Sequence, residues 1–162
     1  MFKIGDMAVY PAQGVGIIEA IEAKEVGGGA QQDYYILRIV DSDMTIMIPV
    51  SNADLVGMRC LIDKTRIASI YDILEEKRLI GGGIASWSRR QREYNEKIKS
   101  GDLFEVAQVL RELYQIRVEK ELSYGEKKVL DLARKLLIKE IALAEGAEEE
   151  EVAQRVEKIF LH

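Results

Sequence analysis

Few side chains in this 162-residue chain are suited to covalent or metal chemistry, and none is arranged for it. The one histidine is His162, so no interior imidazole is available as a base or ligand. The one cysteine, Cys60, excludes an internal disulfide framework and a Cys-rich zinc site. Its setting, Met58-Arg59-Cys60-Leu61-Ile62, predicts a small buried hydrophobe instead of a reactive thiol. Gly14-Val15-Gly16 opens like a dinucleotide fingerprint, but Glu19 stands where the third glycine is needed, so these read as strand-turn glycines. The run Glu148 to Glu151 has no surrounding loop of oxygen ligands and reads as a solvated helix start, not a cation site. No P-loop, H-E-x-x-H or Ser nucleophile elbow is present. The expectation is a binding protein with no catalytic residue, no metal and no cofactor.

The informative stretch surrounds the sole tryptophan, in Ser86-Trp87-Ser88-Arg89-Arg90-Gln91-Arg92. Residues 86–99 are locally +3, through Arg89, Arg90, Arg92, Lys97 and Lys99 against Glu93 and Glu96. Residues 127–139 are locally +4, through Lys127, Lys128, Arg134, Lys135 and Lys139 against Asp131. Two such stretches could join into one phosphate-binding patch, or be solvated helix faces with i, i+4 partners such as Glu93 and Lys97. Trp87 likewise has two readings. It packs in a helical core, or it is a ring beside phosphate-binding groups that lodges at a weakened base step in a minor groove.

The elements that must position these residues divide near residue 65, into 1–65 and 66–162. The first part holds both prolines and short β-branched runs. Met7 to Tyr10 is a strand ended by Pro11, and Val15 to Val26 a second one, closed by Gly27-Gly28-Gly29. Tyr34 to Val40 and Met44 to Ile48 are two more, separated by Asp41-Ser42-Asp43 and stopped by Pro49. Four or five short strands with tight turns predict a small SH3- or Tudor-like β-barrel. The second part reads as an all-α domain, so the fold class is α+β with two domains. Ile67, Ile70, Tyr71 and Leu74 have helical spacing. Gly81-Gly82-Gly83 breaks the chain, and Ser86 is placed to cap a helix carrying Trp87, Tyr94 and Ile98. Asp102 to Glu105 and Ser123 to Glu126 have capping-box spacing, Gly146 ends the longest helix, and Val152, Val156, Ile159 and Phe160 line the last.

The net charge is −5, which for a uniform chain argues against nucleic acid. Locally, residues 1–65 carry −4 and residues 66–162 only −1, with the acids concentrated away from the two basic stretches. The N-terminus lacks the pattern of a signal peptide and no 18-residue apolar window exists, so a cytoplasmic protein without a membrane partner is expected.

Val9-Tyr10-Pro11-Ala12-Gln13-Gly14-Val15-Gly16, Ile48-Pro49, Trp87-Ser88-Arg89-Arg90 and Leu122-Ser123-Tyr124-Gly125-Glu126-Lys127 together resemble the CarD/CdnL family of bacterial transcription factors. The resemblance spans essentially the whole chain in order. It implies that the Tudor-like domain docks on the β1 (protrusion) lobe of the RNA polymerase β subunit. It also implies that the helical domain meets promoter DNA at the upstream fork of the bubble, near the −10 element, in the primary σ holoenzyme. There a Trp wedge hinders bubble collapse and stabilises the open complex without reading sequence. Carried over by position, Trp87 is the wedge, Arg89, Arg90, Arg92 and Lys127 contact DNA phosphates, and Lys24, Met47 and Pro49 face the polymerase. Met47 stands where some relatives carry Arg, and Gln91 where an aromatic often follows. The acidic last helix makes the chain similar to the short CdnL type, without a basic tail. A monomer is expected, since a tethered factor needs one copy. The rival reading is a protein–protein adaptor whose barrel binds a peptide and whose helices are a scaffold with Trp87 in the core.

Overall fold

The computed structural model describes residues 1–76 and 86–161, so the expected Gly81-Gly82-Gly83 break and His162 lie outside the described residues. The chain forms two compact units, Met1–Leu61 and Ile62–His162.

In the first unit, β1 (Met7–Tyr10), β2 (Gly14–Glu25), β3 (Gln31–Ile39) and β4 (Thr45–Pro49) make one antiparallel sheet in chain order. It curls into half of a barrel, consistent with the Tudor-like domain expected for this part of an α+β chain. Each turn has a residue suited to its backbone. Gly14 takes φ 101° after Pro11, which has no N–H to offer a ladder. Asp43 takes φ 55°, a left-handed conformation that Asp tolerates, and its carboxylate accepts from Arg38 at 3.0 Å. Gly16 is needed for a different reason: a Cβ there would fall 2.7 Å from Leu37 Cγ. The ladder between β2 and β3 slips at Glu19, between Ile18 and Ala20, and a bulge of this kind bends a strand and supports the curl.

Strand alternation sends Ile18, Tyr35, Leu37, Ile39 and Ile48 inward, onto Ala8, Ala53 and Met58. After the short 3-10 turn Val50–Asn52 the chain returns, and Arg59 bridges Val9 beside β1. Met58 takes the inward position of this returning segment. Cys60, expected to be buried, is exposed instead, because the chain leaves the sheet after the single Arg59 bridge.

The second unit contains α1 (Ile67–Glu75), α2 (Trp87–Lys99), α3 (Leu103–Glu119), α4 (Tyr124–Glu145) and α5 (Glu149–Phe160). The central helix is α3, which packs against α1, α2 and α4. Leu110, Leu113 and Ile116 of α3 are fully buried, as are Ile70, Leu137, Ile141, Val152 and Val156 of its neighbours. Helix ends follow local chemistry. Ser123 and Glu126 form a full capping box on α4, and Gly146 closes that helix in the left-handed conformation at φ 69°. Asp102 caps α3 by accepting from the Phe104 N–H at 2.8 Å, but its own N–H goes to Ser100 Oγ, so the expected box is half formed. Ser86 occupies the N-cap position of α2 without a side-chain capping bond.

Among the described residues no helix is long and apolar enough to cross a membrane, and no cluster of His, Cys, Asp or Glu is arranged to hold a metal ion.

Candidate nucleic-acid interface and docking face

The first turn of α2 lies against the first turn of α4. The contact is possible because residue 125 is glycine: a Cβ there would sit 3.0 Å from both Cζ2 and Nε1 of the Trp87 indole. Trp87 is therefore half-buried, with one side of its ring on bare backbone. Tyr94, two helical turns further along α2, meets the indole at 6.1 Å between ring centroids, tilted by 52°. The Arg90 guanidinium lies 5.3 Å from the indole centroid, within cation–π range.

Under this ring lies a largely buried polar network, with the half-exposed Lys120 Nζ 3.9 Å from Glu126 Oε1 at its rim. Arg90 is 4% exposed and its Nη1 donates to Oε2 of Glu126, itself 2% exposed, at 2.9 Å. Glu126 Oε1 accepts from the Ser123 N–H at 2.9 Å, so one carboxylate both closes the α4 capping box and pairs with α2. Tyr94 Oη donates to Glu112 of α3 at 2.9 Å. Burial opposes the charge on Arg90, but hydrogen bonding to Tyr94 and Glu126 outweighs it and raises the guanidinium above its ordinary value. Burial likewise opposes ionisation of Glu126, and the Ser123 bonds together with Arg90 hold it below the usual carboxylate range. Both groups are charged at neutral pH, as a buried pair must be if neither is to stand alone.

Around this base the other cations face solvent. Arg89 is exposed and only loosely paired with Glu93, at 3.8 Å. Arg92 is exposed on the same helix. Across Gly125, Lys127 is exposed with a long contact to the exposed Glu121 at 3.9 Å. Lys128 sits 4.9 Å over the ring of Tyr124, which is 75% exposed. Two helix N-termini, with their partial positive charge, open beside these side chains. The arrangement can hold phosphates and offer aromatic faces to a base step.

The structure separates residues that the sequence put together. Arg90 is not with the solvent-facing arginines; its burial and its Glu126 partner make it part of the foundation. The second basic stretch also divides. Lys127 and Lys128 are exposed on the first turns of α4, the helix end that meets Trp87 at Gly125, whereas Arg134 pairs with Glu157 at 2.8 Å and Lys139 with Glu149 at 3.1 Å, both acids belonging to α5. Sequence reasoning missed the Trp87–Gly125 contact and the exposed Tyr124. Its available signal was a glycine in the first turn of a long helix, where alanine would be intrinsically better and a close approach is the usual reason for glycine.

In the first unit, Lys24, Met47 and Pro49 fall on one side of the sheet. Lys24 is opposite Gln32, Pro49 opposite Tyr34 and Met47 opposite Ile36, and those three β3 positions alternate on a single face. Lys24 and Met47 are exposed and Pro49 is half-buried. Pro49 ends β4, an edge strand whose outer side pairs with no further strand among the described residues.

Residues 2–62 match the family described as CarD-like/TRCF RID domain, and residues 69–157 match that described as CarD, C-terminal domain. The chain is 40% identical over 155 residues to "Putative transcription factor YdeB" of Bacillus subtilis (strain 168), covering 94% of this chain and 97% of that one. It is also similar to the solved structure "CdnLNt from Myxoccoccus xanthus", at 48% identity over 40% of this chain and 89% of that chain, with a TM-score of 0.34. With both units matched in order and a relative that spans nearly the full length, the chain belongs to the CarD/CdnL family of transcription factors.

Proposed function

We propose that the chain binds RNA polymerase through its first unit and stabilises the promoter open complex through its second. The docking partner is the β1 (protrusion) lobe of the β subunit, met by the face that carries Lys24, Met47 and Pro49 at the β4 edge. Strand addition supplies main-chain bonds, and Met47 adds an apolar contact. Trp87 enters the minor groove at the upstream fork near the −10 element, and Arg89, Arg92 and Lys127 hold flanking phosphates. Arg90, grouped with them by position in the family, serves the site from beneath. The factor acts as a monomer in the cytoplasm, on DNA that the primary σ holoenzyme has already located, and catalyses nothing.

The observation that carries this reading is a half-buried indole where two helix ends meet, with exposed cations on the first two turns of both helices. An adaptor with a purely structural Trp87 would have no reason to carry exposed Arg89, Arg92, Lys127 and Lys128 on the two helices that meet at it. The magnitudes agree as well. One inserted ring and a few phosphate contacts are worth a few kcal/mol in total, too little to find a promoter but enough to shift an open/closed equilibrium roughly 10- to 100-fold. The test is open-complex lifetime with wild type and Trp87→Ala, paired with capture of the β subunit. Loss of the lifetime effect with capture retained supports the proposal; an equal lifetime with both proteins contradicts it.

A further inference from the structure

The residues beneath Trp87 do not themselves touch DNA or polymerase in the function proposed above, yet they form a buried, hydrogen-bonded polar network. Gly125 leaves room for the indole against the start of α4, where a Cβ would fall 3.0 Å from the ring. Arg90 reaches the ring from below at 5.3 Å and is tied to Glu126 at 2.9 Å, and Glu126 is tied to the start of α4 by Ser123. Tyr94 closes the remaining side and is anchored on α3 through Glu112. Each of these groups is nearly inaccessible: Arg90 is 4%, Tyr94 1% and Glu126 2% exposed. A guanidinium so enclosed cannot reach a phosphate without breaking a buried ion pair, and such a rupture is costly because it strands the other charge. Its electrostatic output is therefore directed at Tyr94, Glu126 and the indole face.

We infer that Gly125, Arg90 and Glu126 are positioning residues that hold the Trp87 ring at a fixed angle to the α4 N-terminus, so that the ring is preorganised for insertion. This deepens the reading of Trp87 as a wedge and rests on it. A wedge on a freely rotating side chain would lose rotamer entropy on every insertion; a ring already seated loses little. The same geometry assigns the phosphate contacts to Arg89, Arg92 and Lys127 and withdraws Arg90 from them.

The test uses the fact that Trp87 is the only tryptophan, so its emission reports this seat alone. Gly125→Ala is the first variant. Its backbone accepts alanine and its charge pair is untouched, but the new Cβ forces the indole to move by a few tenths of an ångström. Arg90→Met/Glu126→Gln is the second. It removes both charges together, keeps side-chain volume, and leaves a Gln able to close the capping box. Far-UV circular dichroism confirms that each is folded. Both variants are expected to red-shift Trp87 emission, raise its acrylamide quenching and shorten the open-complex lifetime several-fold, with β-subunit capture unchanged.

The salt dependence separates positioning from phosphate contact. Removing a phosphate contact lowers the slope of log affinity against log salt by about 0.9, as expected for Arg92→Ala, which should leave Trp87 emission unchanged. Arg90→Met/Glu126→Gln should leave the slope at its wild-type value. A slope reduced by that amount, with emission and quenching as in wild type, would make Arg90 a phosphate contact and overturn the inference. Unchanged emission, quenching and lifetime in Gly125→Ala would overturn it too. If Trp87→Ala itself does not shorten the lifetime, the wedge reading fails, and the seat is then judged on emission and quenching alone.

Discussion

Trp87 and its neighbours show how one side chain type can serve opposite ends of a site. Arg89, Arg90 and Arg92 lie within four residues, but helical rotation turns Arg90 inward onto Glu126 and leaves the other two outside. The local sequence charge of +3 therefore overstates the charge offered to DNA. Lys127→Ala is expected to weaken DNA association about equally on all sequences and to reduce the salt slope by about one contact, measured by titration of a fork-junction duplex at several salt concentrations. Its exposed carboxylate neighbour Glu121 gives little stability to lose, so the unfolding free energy should stay within about 0.5 kcal/mol of wild type. The polar half of the site was poorly legible in the sequence for a physical reason. A run of arginines states charge and spacing, whereas which of them is buried depends on a glutamate 36 residues away, on another helix.

At the scale of elements, local chemistry was far more readable. The α4 helix carries its start and stop in the chain, in Ser123-Tyr124-Gly125-Glu126 and Gly146, and both form as spelled out. Ser123→Ala should cost about 1 kcal/mol, read from urea unfolding, because one capping acceptor is lost. The caps of α2 and α3 were less legible, since Ser86 and Asp102 have competing partners or none, which spacing does not reveal. The α5 helix illustrates a second limit. Its acids were read as a dipole-favoured start, but Glu149 and Glu157 also consume two cations of α4.

The packing of α5 on α3 and α4 has a pH signature. Burial first, then the Glu157 carboxylate, push the Tyr114 hydroxyl up to about 12, while an unfolded tyrosine titrates near 10. The unfolded chain gives up this proton first, so the contribution is fully present below about pH 10 and is lost as pH rises toward 12, on the order of 2 kcal/mol. Tyr94 is raised for the same leading reason, burial, and adds to the loss. Urea midpoints measured from pH 9 to 11.5 should fall steadily, and Tyr114→Phe should flatten part of that fall. A flat wild-type profile would contradict the buried, neutral state of both hydroxyls.

For the molecule as a whole, the two units divide the work. The first carries most of the negative charge and, in the proposed function, the docking face; the second is near neutral overall. Weak attraction to DNA in general, combined with a local grip, suits a factor delivered by a partner, because tethering replaces intrinsic affinity with a high local concentration. Substitutions in the docking face should therefore act on recruitment alone. Lys24→Glu or Pro49→Ala is expected to lower β-subunit capture severalfold while Trp87 emission remains as in wild type. Equal capture by both variants would remove that face from the interface. The two-unit organisation was legible in the sequence because texture changes with period: short alternating runs with turn glycines give way to spaced apolar positions with caps.

The central claim is that Trp87 holds the promoter open. Its most direct measurement is the dissociation half-life of a heparin-challenged open complex, at a promoter where the wild-type protein extends it, with saturating wild type, saturating Trp87→Ala or no factor. The account predicts that Trp87→Ala still associates with polymerase but returns the half-life to within about twofold of the factor-free value, from a wild-type extension of roughly 10- to 100-fold. A half-life equal to wild type, with the variant bound, would contradict it.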